Sequence, residues 1–200
     1  MKLFNNLGGG GILEMLGVQM YVTYNPSSCA SQVPDHQCSD CETPEHGRIR
    51  AVAFISKDFI FSDPTNPTQW QTGITNKKII IIPATHGTFD GGSEILGIGY
   101  GSAVSKLTGY NFKVTYFDPG YKNNADFYNA IKFSQNYYFA YVTETQVHIV
   151  VPVVQVIPKN PVTDSLTDEV AWQVDVIWTD SNLPVPYNVP AVFTCFAYTT

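Results

Sequence analysis

The clearest periodicity in the chain lies in "VAWQVDVIW". Val170, Trp172, Val174, Val176 and Trp178 fall on one side of an extended backbone, and Ala171, Gln173, Asp175 and Ile177 on the other. Period-two alternation over this length predicts a strand with one face on a core. "NFKVTYF" (111–117) behaves likewise, with Phe112, Val114 and Tyr116 opposite Asn111, Lys113 and Thr115. "YYFAYV" (137–142) and "QVHIVVPVVQVI" (146–157) flank "TETQ", which reads as a hairpin turn. Pro152 cannot donate a ladder hydrogen bond and is expected at a bulge or an edge. "RIRAVAFI" (48–55) and "KKIIIIP" (77–83) predict two further strands, the second with too little alternation to expose either face. The last apolar run, "AVFTCFAY" (191–198), is expected to close a sheet.

Helical patterns are few. "NNADFYNAIKFSQ" (123–135) combines Asn caps and an early Asp with a stripe of Phe127, Ala130, Ile131 and Ser134 at helical spacing. "DPTNPTQWQTGI" (63–74) predicts a short helix after Pro67, and "GILEMLGVQMYV" (11–22) reads as either a helix start or an extended arm. Residues 23–47 and 84–109 read as long loops, and loops of that size are usually functional. The organisation is thus mainly β. An N-terminal arm and Cys-rich loop (1–47) precede a single β-rich domain (48–200) that carries the long loop 84–109.

Composition adds a second theme. Charged residues make up 14% of the 200, against roughly 25% in ordinary soluble chains, while Tyr and Phe number 12 each. Aromatics enrich interfaces and Lys and Glu are depleted there, so self-assembly is expected ahead of a merely Thr- and Asn-rich surface. A net charge of −6 argues against a nucleic-acid binder held by counterion release, which needs a basic face. No run reaches the roughly 18 apolar residues of a membrane helix. Asn5, Asn6, glycines and Glu14 interrupt the N-terminal apolar run, so it does not read as a signal peptide. The expectation is a soluble chain made in the cytoplasm, where structural disulfides are rare.

Three of the four cysteines sit in "SSCASQVPDHQCSDCETPEHGR" (27–48). Cys38, Cys41 and His46 have the spacing of the first three ligands of a zinc knuckle, but the fourth position is Ala51. Cys29 or His36 would have to complete a tetrahedron from upstream. An ordered loop with small buried thiols, leading into the first sheet strand, fits better, and no metal or cofactor is assigned. "GIGYG" (97–101) lacks the third glycine and the βα pattern of a dinucleotide site. His86, Asp90, Ser93 and Glu94 cluster after a strand and are catalytic raw material, but "FDGG" is also good turn chemistry. His148 reads as an outward-facing strand histidine and Cys195 as a core thiol. No catalytic residue is assigned.

"TGYNFKVTYFDPGYKNNADFYNAI" (108–131), then "VIPKNPVTDSLTDEVAWQVDVIWTDSNLPVPYNVP" (156–190), resembles structural virion proteins of tailed phages, especially the tail-tube (major tail) proteins of phages infecting Bacteroidota. The resemblance runs over about residues 38 to 195 and includes the Cys-x2-Cys before "GRIRAVAFI". It implies a β-sandwich or barrel-like sheet with one short flanking helix at "NADFYNAIKF". It also implies a non-enzymatic protein that forms rings, commonly hexameric and stacked into a tube in the virion tail. Its partners would be other copies, other virion proteins and genomic DNA sliding through a negative lumen, with no membrane. Segments 84–109 and 1–47 would be the inter-subunit contacts, with sheet edges pairing across subunits. The long region before "GRIRAVAFI" departs from the pattern and leaves open a head–tail connector, neck or capsid-decorating protein. A carbohydrate- or receptor-binding β-module is the alternative from another class.

Overall fold

The computed structural model describes residues 4–7, 10–15, 18–23, 47–84, 86–99, 105–162 and 170–196. The chain divides into two compact units, Met1–Thr43 and Pro44–Thr200. The first contains β1 (Phe4–Leu7), β2 (Gly10–Met15) and β3 (Val18–Thr23), an antiparallel sheet in that order. Both readings of 11–22 gave it one element; it forms parts of two strands that pair with each other, Leu13 opposite Met20.

The second unit is a sandwich of two antiparallel sheets, so the mainly β expectation holds. The first sheet has the order β13-β10-β9-β4-β5, formed by Val185–Asn188, Gln146–Val150, Tyr137–Val142, Ala51–Ser56 and Ile79–Pro83. The second has the order β11-β12-β8-β6, formed by Gln155–Lys159, Trp172–Asp180, Lys106–Asp118 and His86–Phe89, with β7 (Ser93–Gly97) also on β8.

Between the sheets lie Phe54, Phe139 and Tyr141 from one side, and Phe112, Val114, Tyr116, Val174, Val176 and Trp178 from the other. Aromatic contacts cross the gap: Phe139 to Trp178 at 6.4 Å and Phe89 to Tyr141 at 5.2 Å between ring centroids. The two alternating strands thus present to the core the residues their period predicts. Strand β12 starts at Trp172, leaving Val170 outside it and exposed.

The other face of the first sheet is covered as well. Ala51, Ala53, Ile55, Ala140, Val142 and Val147 pack beneath Trp70 of α1 (Pro67–Thr75) and Phe193 of a 3-10 helix (Ala191–Phe196). That double cover explains why Ala51–Ile55 are all buried and why their sequence shows no alternation. Helix α1 begins as its sequence predicts: Asn66 Oδ1 accepts from Thr68 N at 2.9 Å, and Pro67 takes the first helical position. Gly73 is where α1 meets the sheet, since a Cβ there would sit 2.6 Å from Ile79 Cγ1. Helix α2 (Ala125–Ile131) buries Tyr128 and Ile131, with Phe127 against Phe54 at 6.0 Å. Ala130, expected on its apolar stripe, is exposed.

Three sequence expectations change. Segment 191–196 is a 3-10 helix rather than a closing strand. The run 146–157 is two strands: β10 joins the first sheet and β11 the second, with Pro152 in the turn between them. Proline withholds a donor, and here the ladder ends and the chain changes sheets. The described residues of segment 84–109 are not a loose loop. β6 and β7 run consecutively alongside β8, interrupted at Gly91 (φ 76°) and Gly92 (φ 89°) and by a register shift between Ile95 and Leu96. Those left-handed glycines are the chemistry of a β-bulge.

Candidate interaction surface

The outermost strands decide how this sandwich can meet another chain. Val189 N donates to Thr145 O, continuing the β10–β13 ladder. Counting back by twos, Tyr187 and Val185 turn their N–H groups inward, so position 186 faces outward, and it is proline. Ala84 N donates to Arg50 O, which by the same count turns position 83 of β5 outward, again a proline. Strand β11 carries Pro158, and the β6–β7 edge carries the two irregularities just described. Prolines and bulges blunt edges against strand addition. The edges are thus blunted at these positions, and side-chain surfaces are the other route by which the sandwich can meet a second chain.

Two apolar features are available for that. The first is the ribbon formed by β7 and the start of β8. Ser93–Leu96 and Ser105–Thr108 face solvent in whole or in part, whereas from Gly109 onward β8 alternates, with Gly109, Phe112, Val114, Tyr116 and Asp118 buried. Leu96 and Leu107 are directly opposite across the ladder, 61% and 50% exposed, and Ile98 just beyond is fully exposed. An isolated two-stranded ribbon is marginal in water, and apolar residues adjacent on it are candidates for a contact surface. The second feature is a groove of about 570 Å³ at one end of the sandwich. It is bounded by Ile60 and Phe61, by Val151 after β10, and by Leu183 and Val185 across from them, over Tyr138 and Ile149.

The candidate chemical residues do not converge. His86 stacks on Phe117, with centroids 4.0 Å apart. Asp90 Oδ1 accepts from Gly92 N at 3.0 Å and Lys113 N at 3.1 Å, holding the bulge in place. Ser93 Oγ donates to Asn111 O at 3.3 Å, and Glu94 is exposed. These are turn and edge roles. His148 does not face outward. It shares its face of β10 with the buried Val150, on the side toward the second sheet, and stacks on Tyr141 at 4.5 Å with the rings nearly parallel. Cys29, His36, Cys38, Cys41 and His46 lie outside the described residues, as does the side chain of Cys195. Among the described residues no group of three His, Cys, Asp or Glu could hold a metal. No described helix is long and apolar enough to cross a membrane.

Sequence reading missed two polar networks. Asp118, buried at the end of β8, accepts from Asn124 Nδ2 at 2.6 Å, Tyr128 Oη at 2.8 Å and Gly120 N at 2.8 Å. Tyr116 Oη lies 3.4 Å from Tyr128 Oη, and burial pushes both phenols far above the ordinary tyrosine range. The compact motif "DPGYKNN" was the available signal, since Asp and Gly two apart favour an Asx turn.

Asp175 is the second. It sits on the outer face of the second sheet, yet is buried. Thr115 Oγ1 and Lys159 Nζ each donate to it at 2.7 Å, and Lys113 Nζ stands 3.6 Å away. Burial pushes its carboxyl up, but the bonds from Lys159 and Thr115 and the charge of Lys113 outweigh this and hold it below the usual aspartate value. A carboxyl lowered in the folded state stabilises the fold fully above its unfolded pKa, about 3.9. That contribution drains away as pH falls through the lower folded value. Asp175→Asn should therefore flatten the fall of stability below about pH 5 relative to the parent chain. Urea midpoints at a series of acidic pH values would show it, and parallel curves for both proteins would refute the role given to this carboxylate.

Compared with known proteins, the chain matches no family model, no curated protein and no solved structure.

Proposed function

We propose that this chain is a structural virion protein that self-assembles into rings, stacked as a phage tail tube through which DNA passes. The observation that carries self-assembly is the pairing of an exposed apolar ribbon, Leu96, Ile98 and Leu107, with an apolar groove on the same chain. Two different patches that meet between copies make a heterologous contact, which propagates and closes as a ring when the rotation permits. The place in a tail tube rests on the resemblance of the strand and helix order in 108–190. The net charge of −6 suits a conduit that lets DNA slide without holding it.

The test is direct. Purified full-length chain at micromolar concentration, followed by light scattering after size exclusion and by negative-stain imaging, should yield rings or tubes. A persistent monomer of 22.1 kDa would refute the proposal. Rings that never stack would favour a neck or connector position over a tube.

A further inference from the structure

We propose that the ribbon of one copy seats in the groove of a second copy. This rests on the self-assembly reading above and names the contact that would carry it. The ribbon is convex, extended and apolar at its outer part, where Leu96 and Leu107 face each other across the ladder and Ile98 follows. The groove is concave and apolar, and its rim residues Ile60, Val151, Leu183 and Val185 are 83%, 65%, 58% and 55% exposed, so nothing among the described residues of its own chain fills it.

Charge selects between occupants. Among the described residues, the single charged side chain lining the groove is Asp180. Its Oδ1 accepts from Asn182 N at 3.1 Å, but no lysine or arginine among the described residues pairs with it. The ribbon carries Lys106 beside Leu107, exposed and without an ion pair among the described residues. The ribbon also holds the exposed Glu94, opposite Tyr110 near its base, so its cation lies at the outer part beside the leucines. That outer part, two leucines, an isoleucine and Lys106, meets a groove that offers apolar walls and one anion. The ribbon also leaves the sandwich near the groove. Gly109, at its base, approaches the Asp180 carbonyl so closely that a Cβ there would stand 3.1 Å from it. The occupant is the second copy's ribbon; a foreign protein or another segment of the same chain are the competitors.

The experiment uses the full chain and exposed positions, with circular dichroism and thermal melts confirming that each variant folds. Leu107→Asp spoils the ribbon and leaves the groove; Val185→Asp does the reverse. Each alone should weaken self-association by at least about 10-fold, as loss of a central apolar anchor does. Mixed in equal amounts they should form two-chain complexes and stop there, because the mixture has one sound ribbon facing one sound groove. Lys106→Glu should also weaken association, and adding Asp180→Lys to it should restore most of the loss. If wild-type chain assembles but neither variant is impaired, or the mixture stays monomeric, the ribbon–groove contact is wrong while ring assembly stands. If wild-type chain is itself a monomer, both proposals fall.

Discussion

Phe112→Ala should destabilise the sandwich by about 3–5 kcal/mol, the range for truncating a fully buried phenylalanine. Phe112 has no exposed surface. Its ring lies 5.3 Å from Trp178, 5.5 Å from Tyr110 and 5.9 Å from Phe89. A Cβ on Gly92 would stand 2.5 Å from its Cε1, so the bulge backbone closes over the ring. Removing the ring opens a cavity that these stiff neighbours cannot fill, and the loss includes the cavity as well as the transfer of the missing atoms. It also loosens the seat of the β6–β7 edge. Urea unfolding should show a lower midpoint with an unchanged slope. A drop smaller than about 1 kcal/mol would mean that the two sheets do not meet around this ring.

The second large effect is expected at Asp118. Asp118→Ala should cost about 3 kcal/mol or more, because it leaves Tyr128 Oη and Gly120 N without their acceptor at a buried site. Asn124 loses its partner too, although it lies nearer to solvent. Tyr128→Phe is the contrasting change. It removes one donor and keeps the ring that fills the core, but leaves the buried Tyr116 Oη without its 3.4 Å partner, and should cost about 1–2 kcal/mol. The ratio between the two variants is the informative quantity. If Asp118→Ala is as mild as Tyr128→Phe, water reaches the carboxylate site and the network does not pin α2 to the end of β8. If the role is as described, the double variant Asp118→Ala with Tyr128→Phe should recover part of the loss, since one stranded donor is gone.

Legibility in the sequence follows from solvent contact. Strands β8 and β12 were readable because one face meets the core and the other meets water, so composition alternates with the pleat. Helix α1 was readable because its start is local chemistry, Asn before Pro. The hairpin of β9 and β10 was readable because "TETQ" interrupts two apolar runs, and Thr143 N donates to Gln146 O there. The edge β6–β7 was not. Its glycines serve bulges, and glycine says "loop" and "irregular strand" with the same letter. The face of His148 was also out of reach, because β10 is covered on both sides and apolar residues then occur at either parity. The candidate groove was not legible. The groove joins residues from four separate stretches, and no local pattern encodes that meeting.

The amino-acid sequence by itself determined a mainly β chain, the inward faces of its two alternating strands, the start of α1 and an acidic, charge-poor composition; the Asn cap expected for α2 is not made, since Asn124 forms no side-chain cap bond. These are properties of neighbours along the chain, set by periodicity and side-chain type. Only the tertiary structure decided which strands share a sheet, that the chain crosses from one sheet to the other at Pro152, and that the outermost strands carry prolines or bulges. It also decided that an apolar ribbon and an apolar groove are left over. Burial and edge position depend on what packs from elsewhere in the chain, and that is a property of the folded whole.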